Sequence, residues 1–233
     1  MTESLLRRRS LLGAGGAIAG SLALAGFAAS PAMAASAAPS TPKAALAALL
    51  DGNKRFVNGT AKHPHQSGKR LKTVAAGQDP FAIVLGCADS RVSAELLFDQ
   101  GIGDLFVNRV AGNVVDDLLL GSMEYAVAEF GPPLLIVLGH ERCGAIKATV
   151  GVVNGGEEPP GHIGAVVAAL RPIVAPYAGQ ANAVEKGVQV NVLAQAAAVV
   201  QQSAVIRERV EKGAMAVVGA RYDLDTGKVK VLG

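Results

Sequence analysis

The chain has 233 residues with a formal net charge of +3, and 50% of the residues are hydrophobic, so it is long enough for one domain with a proper core. Tryptophan is absent, only 4% of the residues are aromatic, and no basic stripe is interleaved with aromatic side chains. Because nucleic-acid binding relies on basic surfaces and stacking platforms, the composition gives it no support.

The first 34 residues have the pattern of an export signal. Residues 7–12 read Arg-Arg-Arg-Ser-Leu-Leu, a twin-arginine pattern, and the Gly/Ala/Leu stretch that follows ends in Ala32-Met33-Ala34, a small-residue cleavage signal. A membrane anchor is the alternative, because residues 11–35 are long enough to span a bilayer. Their weak hydrophobicity favours cleavage instead. We therefore expect a cleaved signal at 1–34, a linker at 35–42 and a single domain at 43–233.

Export by the twin-arginine route predicts a periplasmic or extracellular protein with no stable membrane span after cleavage. The route carries folded proteins, so a metal could be loaded in the cytoplasm beforehand. The signal contains three arginines and one glutamate, and its removal lowers the net charge from +3 to +1. The charge therefore says little about partners.

The mature region alternates helical and strand patterns. Residues 43–57 predict an amphipathic helix, and the polar, proline-containing residues 60–72 predict a loop. Short apolar runs predict buried strands at 81–85, 105–110, 134–138 and 215–218. Helical patterns lie between them, at 94–98, 115–130, 144–150, 164–174 and 181–211, the last with a break.

Continuous apolar strands separated by helices indicate a parallel sheet covered on both faces. Residues 225–227 read Asp-Thr-Gly and predict a turn into a short return strand. The predicted fold class is α/β, with a mostly parallel central β-sheet flanked by helices.

The only two cysteines lie in chemically specific surroundings. Residues 87–91 read Cys-Ala-Asp-Ser-Arg, and residues 140–144 read His-Glu-Arg-Cys-Gly. Both segments follow predicted strands, and α/β sheets place their sites at the carboxyl ends of strands. Two thiolates and an imidazole supply three of the four ligands of tetrahedral zinc and leave one position open, as in catalytic sites. A disulfide, the alternative in an exported protein, needs none of these neighbours.

The residues beside these ligands carry further expectations. Gly86 and Gly139 occupy matching positions after the two strands, where we expect glycine to let the backbone turn sharply. Cys143 and Gly144 are expected to begin a helix, whose dipole favours a thiolate. His140 and Cys143 are three positions apart, which lets both reach one ion.

Asp89 and Arg91 are candidates for a catalytic dyad. A bidentate pair would keep the Asp89 carboxylate off the metal and let it accept the hydrogen bond of zinc hydroxide. The alternatives are a surface salt bridge, or Asp89 in the fourth metal position. A centre with two thiolates is formally neutral and should acidify its water less than a three-histidine centre, so activity should rise towards alkaline pH.

The two motifs together resemble those of the β-class carbonic anhydrases. Further segments resemble the family at residues 51–56 (Asp-Gly-Asn-Lys-Arg-Phe), 103–109 (Gly-Asp-Leu-Phe-Val-Asn-Arg), 111–113 (Ala-Gly-Asn) and 219–223 (Gly-Ala-Arg-Tyr-Asp). The resemblance implies Zn2+ held by Cys87, His140 and Cys143, with Asp89 and Arg91 as the catalytic dyad. It implies reversible hydration of carbon dioxide to bicarbonate and a proton.

The resemblance also implies a substrate pocket that Gln100 reaches and that the backbone amide of Gly144 faces. It implies a homodimer or homotetramer with an N-terminal helical arm, residues 43–57, on the partner, although a helix that covers its own sheet would show the same pattern. Some family members close the site with the aspartate on zinc, under the control of a bicarbonate pocket that includes a tryptophan. This chain has no tryptophan, but an aspartate-bound resting state remains open.

Two other functions remain open at this point. Relatives with this fold hydrolyse carbonyl sulfide or carbon disulfide, and the ligand motifs do not separate these substrates. A non-catalytic zinc protein would have Asp89 permanently on the metal. The remaining histidines are expected to be ordinary surface residues: His63, His65 and His162.

Overall fold

The computed structural model describes residues 38–233, so the expected signal and the start of the linker lie outside the described residues. A five-stranded sheet has the strand order β2-β1-β3-β4-β5. The strands are β1 Ala82–Gly86, β2 Leu105–Arg109, β3 Leu134–His140, β4 Ala216–Tyr222 and β5 Val229–Leu232. The first four are parallel and β5 is antiparallel to β4, which confirms the predicted mostly parallel sheet with a return strand.

Helices cover both faces of this sheet. They are α1 Pro42–Val57, α2 Gly68–Val74, α3 Ala94–Leu97, α4 Asp117–Phe130, α5 Gly144–Val153, α6 Ile163–Val174, α7 Ala183–Gln202 and α8 Ala204–Glu211, with 3₁₀ turns at Ala111–Asn113 and Ala175–Tyr177. Strands β1 and β3 are buried along their whole length. Two hydrophobic clusters therefore lie on the two sides of these central strands, and a third packs α5 and α6 around Cys87 and Cys143.

Two helical boundaries depend on serine caps. The predicted loop at 60–72 is wrong in its second half, because the Ser67 hydroxyl accepts a hydrogen bond from Arg70 N and begins α2. The expected break in 181–211 lies at Ser203, whose hydroxyl accepts from Ile206 N and donates to Glu124 Oε1 at 2.5 Å. Ser203 thus ends α7, begins α8 and attaches both to α4.

Helix α1 packs on its own chain. Its first turn is capped by Thr41 Oγ1, which accepts from Ala44 N, and Ala45 and Leu49 are fully buried beside β1 and β3. The amide of Asn53 donates to Leu97 O and Gly227 O and accepts from Val229 N, so it joins α1 to α3 and β5. The expected contact of this helix with a partner subunit remains a prediction.

Candidate metal centre

The sheet brings the three expected ligands together. Cys87 directly follows β1, His140 ends the neighbouring strand β3, and Cys143 directly precedes α5. Their sulfur and nitrogen donor atoms all lie within 4.8 Å of one another. The residues are 4%, 0% and 2% exposed, respectively. The predicted convergence at the carboxyl ends of adjacent parallel strands is confirmed.

The orientation of His140 suits a metal ligand. Its Nδ1 donates to its neighbour's carbonyl, Glu141 O, at 2.9 Å. Its Nε2 is buried and has no hydrogen-bond partner among the described residues. A buried imidazole nitrogen without a partner is costly, and a metal ion would satisfy it. The donor set Cys–His–Cys is one that zinc accepts, so the residues present fit this ion.

The two thiols have opposite acid–base tendencies. The Cys143 thiol, the neighbouring His140 imidazole and the Gly112 amide lower the pKa of Cys87 to about 4. The pKa of Cys143 is raised, because its sulfur donates to Cys87 and is buried beside that charge. Without a cation the centre therefore holds one thiolate and resists a second, whereas a divalent cation would stabilise both.

Asp89 and Arg91 form the predicted bidentate pair. Arg91 Nε and an Arg91 terminal nitrogen donate to the two Asp89 carboxylate oxygens at 2.9 and 2.7 Å, and the Arg91 backbone N donates at 3.0 Å. These bonds hold the pKa of Asp89 well below its usual range. One carboxylate oxygen lies 3.8 Å from His140 Nε2, and the Asp89 side chain is only 18% exposed. The pair therefore borders the centre and is more than a surface salt bridge.

Arg109 holds the segment that carries Cys87 and Asp89. Its Nε donates to Cys87 O at 2.9 Å and a terminal nitrogen donates to Asp89 O at 2.6 Å. In the sequence, Arg109 stands out only as part of a segment that resembles the family. Its role was missed because backbone carbonyl partners leave no pattern in a sequence.

The turn between His140 and Cys143 is anchored to the β4–β5 hairpin. Arg142 adopts a left-handed conformation with φ 53°, which is unusual for a residue with a side chain. Its guanidinium makes two hydrogen bonds to the Asp225 carboxylate, at 2.8 and 2.7 Å. Glu141 N donates to Tyr222 O at 2.9 Å. These contacts fix a strained ligand turn against a neighbouring strand.

The glycines beside the ligands have different roles from the expected one. Neither Gly86 nor Gly139 has a positive φ, so the expectation of a sharp glycine turn at these positions is wrong. A Cβ on Gly139 would lie 2.4 Å from Val192 Cγ2 of α7, whereas among residues 38–233 a Cβ on Gly86 would meet only Val84, at 3.9 Å. Glycine is required at position 139 because α7 approaches the strand closely there. No such approach requires glycine at position 86.

The two expected substrate-binding residues lie apart from each other. Gly144 is exposed at the start of α5, next to Cys143, and no atom of the described part of the chain lies within 4 Å of where its Cβ would be. Gln100 is buried in the loop that leads to the amino end of β2, and its amide donates to Phe98 O at 2.8 Å. The structure thus places six of the seven expected residues at the centre, Gly144 through its position next to Cys143. The pocket roles of Gly144 and Gln100 remain predictions.

One of the three histidines set aside has a buried partner. His65 Nδ1 lies 2.7 Å from the carboxylate of Asp104, which is 7% exposed. Asp104 directly precedes β2, at the amino end of the sheet, so this pair lies at the opposite end of the strands from Cys87. His65 is a structural contact of that loop.

The fold and the site together define an α/β enzyme with a buried Cys–His–Cys centre for a metal ion. A family model described as "Carbonic anhydrase" matches residues 82–229. Solved structures of β carbonic anhydrases share the fold. The chain therefore belongs to the β carbonic anhydrase family of enzymes.

Individual relatives support this placement. Carbonic anhydrase 2 of Mycobacterium tuberculosis is 45% identical over 190 residues, which cover 80% of this chain and 91% of that protein. The carbonic anhydrase of Mycolicibacterium smegmatis is 43% identical over 194 residues, 82% of this chain and 94% of that protein. A Coccomyxa β carbonic anhydrase in complex with acetazolamide is 30% identical with a TM-score of 0.62, covering 80% of this chain and 86% of that one. A tetrameric enzyme from Sordaria macrospora has a TM-score of 0.64 at 26% identity, covering 79% and 94%.

Proposed function

We propose that this protein is a zinc enzyme that catalyses the reversible hydration of carbon dioxide to bicarbonate and a proton. The observation that carries the proposal is the meeting of Cys87, His140 and Cys143 beside a carboxylate that an arginine holds in place. These three side chains would hold the zinc ion. Bound there, zinc would supply a water molecule of lowered pKa as the nucleophile.

Asp89 has the geometry of a hydrogen-bond acceptor for the attacking water. Its low pKa keeps the carboxylate ionised, so it accepts and does not donate. Its nearer oxygen lies 3.8 Å from His140 Nε2, close to where the metal must lie. A water molecule that donates its proton to Asp89 would have its lone pair fixed in direction and available to attack carbon dioxide.

Arg91 restrains Asp89 from becoming a fourth ligand. Two side-chain hydrogen bonds occupy both carboxylate oxygens, and these would have to break or lengthen for either oxygen to bind a cation fully. The Arg91 side chain is itself 54% exposed, so its guanidinium can exchange a hydrogen bond to Asp89 for one to water. The pair therefore favours the open, catalytic centre over the closed one.

Substitution of Asp89 tests the proposal. Stopped-flow hydration of carbon dioxide by the zinc-loaded Asp89→Ala variant should fall by about 100-fold or more, the range for one general acid–base or orienting group. Zinc content and the thermal midpoint should stay near those of the parent protein. Asp51→Asn is the matched control, because Asp51 forms an exposed ion pair with Lys54 on α1.

Two results would contradict the proposal. Loss of zinc together with unfolding in Asp89→Ala would make Asp89 a structural ligand. Absence of carbon dioxide hydration by the zinc-loaded parent, with turnover of carbonyl sulfide or carbon disulfide, would assign the centre to the sulfur analogues.

We also propose that the mature protein begins after Ala34, is exported by the twin-arginine route and forms a homodimer or homotetramer. The motif at residues 7–12 and the Ala32-Met33-Ala34 ending support export and cleavage, and the tetrameric solved relatives support the oligomer. No helix among residues 38–233 combines the length and apolar character needed to cross a membrane. Amino-terminal sequencing of the exported protein tests the cleavage site. Light scattering of the purified mature chain tests the oligomer separately.

A further inference from the structure

A chain of buried amide groups links α7 to the metal centre. Asn191, 1% exposed, donates from Nδ2 to Gly112 O at 2.8 Å. Its Oδ1 accepts from Gln195 Nε2 at 3.0 Å, and Gln195 Oε1 accepts from Val115 N at 2.9 Å. Asn191 thus holds the Ala111–Asn113 turn through the Gly112 carbonyl, and Gln195 holds it through the Val115 amide just after the turn.

The same turn donates a hydrogen bond to a candidate ligand. Gly112 N lies 3.4 Å from Cys87 Sγ. Gly112 has φ 74°, and a Cβ there would lie 2.9 Å from Leu170 and 3.2 Å from Ala145. The turn therefore fits a narrow slot between α5 and α6, and only glycine allows this approach. One side of Gly112 faces the sulfur, and its carbonyl faces Asn191.

We propose that Asn191 is a positioning residue of the metal centre, which holds the Gly112 N–H against the Cys87 sulfur. This inference rests on the proposed zinc site. An N–H donor draws negative charge from a thiolate, so it weakens the donation of that charge to the metal and leaves the metal a stronger Lewis acid. Asn191 acts on the sulfur only through the backbone of Gly112.

Burial makes the loss of any one of these hydrogen bonds costly. Asn191, Gln195 and Gly112 are all buried, so water does not replace a lost partner readily. A side chain of similar size without the amide, as in Asn191→Leu, would release the Gly112 carbonyl and leave it unsatisfied. The turn should then move to find another partner, and its N–H should leave the sulfur.

Cobalt substitution tests the proposal without reference to turnover. Co2+ bound to thiolate ligands gives a charge-transfer band in the near ultraviolet, and the energy of this band falls as the sulfur becomes a better donor. Asn191→Leu should therefore move the band to longer wavelength, and should change zinc affinity by about 10-fold, the lower end for an outer partner of a ligand. Gln195→Met should shift the band in the same direction by a smaller amount.

The matched control is Asn53→Leu. Asn53 is 5% exposed and makes three hydrogen bonds of the same kind, but it lies at the junction of α1, α3 and β5. This variant should lose stability and keep the band of the parent protein. An unshifted band in folded Asn191→Leu or Gln195→Met, or an equal shift in Asn53→Leu, would overturn the proposal. Absence of a thiolate band in the parent would instead overturn the metal centre itself.

Discussion

Gly139 allows a quantitative test of how the ligand strand meets α7. It directly precedes His140 in β3, and its missing Cβ would lie 2.4 Å from Val192 Cγ2. Carbon atoms in good contact lie about 3.5–4.0 Å apart, so Gly139→Ala requires α7 or the strand to move by roughly 1 Å. Overpacking of this kind costs about 1–3 kcal/mol, and the buried setting places this variant near the upper end. We expect a loss of about 2–3 kcal/mol in the free energy of unfolding.

The matched control is the glycine at the corresponding position of the neighbouring ligand strand. Gly86→Ala would place a Cβ 3.9 Å from Val84, an ordinary contact, and its φ is not positive. Its main effect is on the unfolded chain, so stability should stay unchanged or rise by up to about 1 kcal/mol. Urea unfolding of the zinc-free variants, in a reductant and a chelator, measures both changes without a contribution from metal binding.

A double variant identifies the cause. Val192→Ala alone removes two buried methyl groups and should destabilise the protein, but it also removes the atom that the new Cβ would meet. Gly139→Ala combined with Val192→Ala should therefore cost less than the sum of the two single changes, by about 1 kcal/mol or more. Additive effects, or equal losses in Gly139→Ala and Gly86→Ala, would refute the steric explanation.

Three further predictions concern the centre itself. Arg109→Ala should lower zinc affinity and carbon dioxide turnover together. The segment that carries Cys87 and Asp89 would lose two charged hydrogen bonds of about 1.5–3 kcal/mol each. Unchanged zinc affinity in a chelator competition would contradict this. In the zinc-free, reduced protein the contribution of the Cys87 and Cys143 thiols to stability should be largest near pH 9. The lowered pKa of Cys87 makes its contribution fall as the pH drops from about 9 towards 4, and the raised pKa of Cys143 makes stability fall above about 9. Urea midpoints across this range should show both limbs, and Cys87→Ser should flatten them. Carbon dioxide hydration by the zinc-loaded enzyme should rise towards alkaline pH, and a flat rate from neutral to alkaline pH would contradict the reasoning from two thiolate ligands.

The sequence predicts the strands and the ligand convergence because both depend on local patterns. Continuous apolar runs mark β1 and β3, and the ligands directly follow or end these strands. Helix α2 was missed because it buries no residue, so no apolar periodicity marks it and only the Ser67 cap gives a signal. A short helix that buries no residue is therefore difficult to distinguish from a loop in the sequence, because its cap is the only signal.

The supporting contacts of the site were not predictable in the same way. The need for Gly139 comes from Val192, which lies more than 50 positions further along the chain. Asn191 and Arg109 act on backbone carbonyls, which every residue has, so nothing in the sequence indicates which carbonyl they reach. Residue types predict which side chains can bind a metal, whereas packing determines which other residues hold those side chains in place.

The placement of the ligands on strands β1 and β3 has a consequence for folding kinetics. Cys87 and Cys143 are 56 positions apart, and the connecting chain includes β2, α4 and β3. Parallel strands pair slowly because their contacts are distant in the chain, so we expect the donor atoms to meet only after β1 and β3 have paired. A metal that binds this late stabilises the native state more than the transition state. It should therefore slow unfolding by a large factor while leaving the refolding rate nearly unchanged.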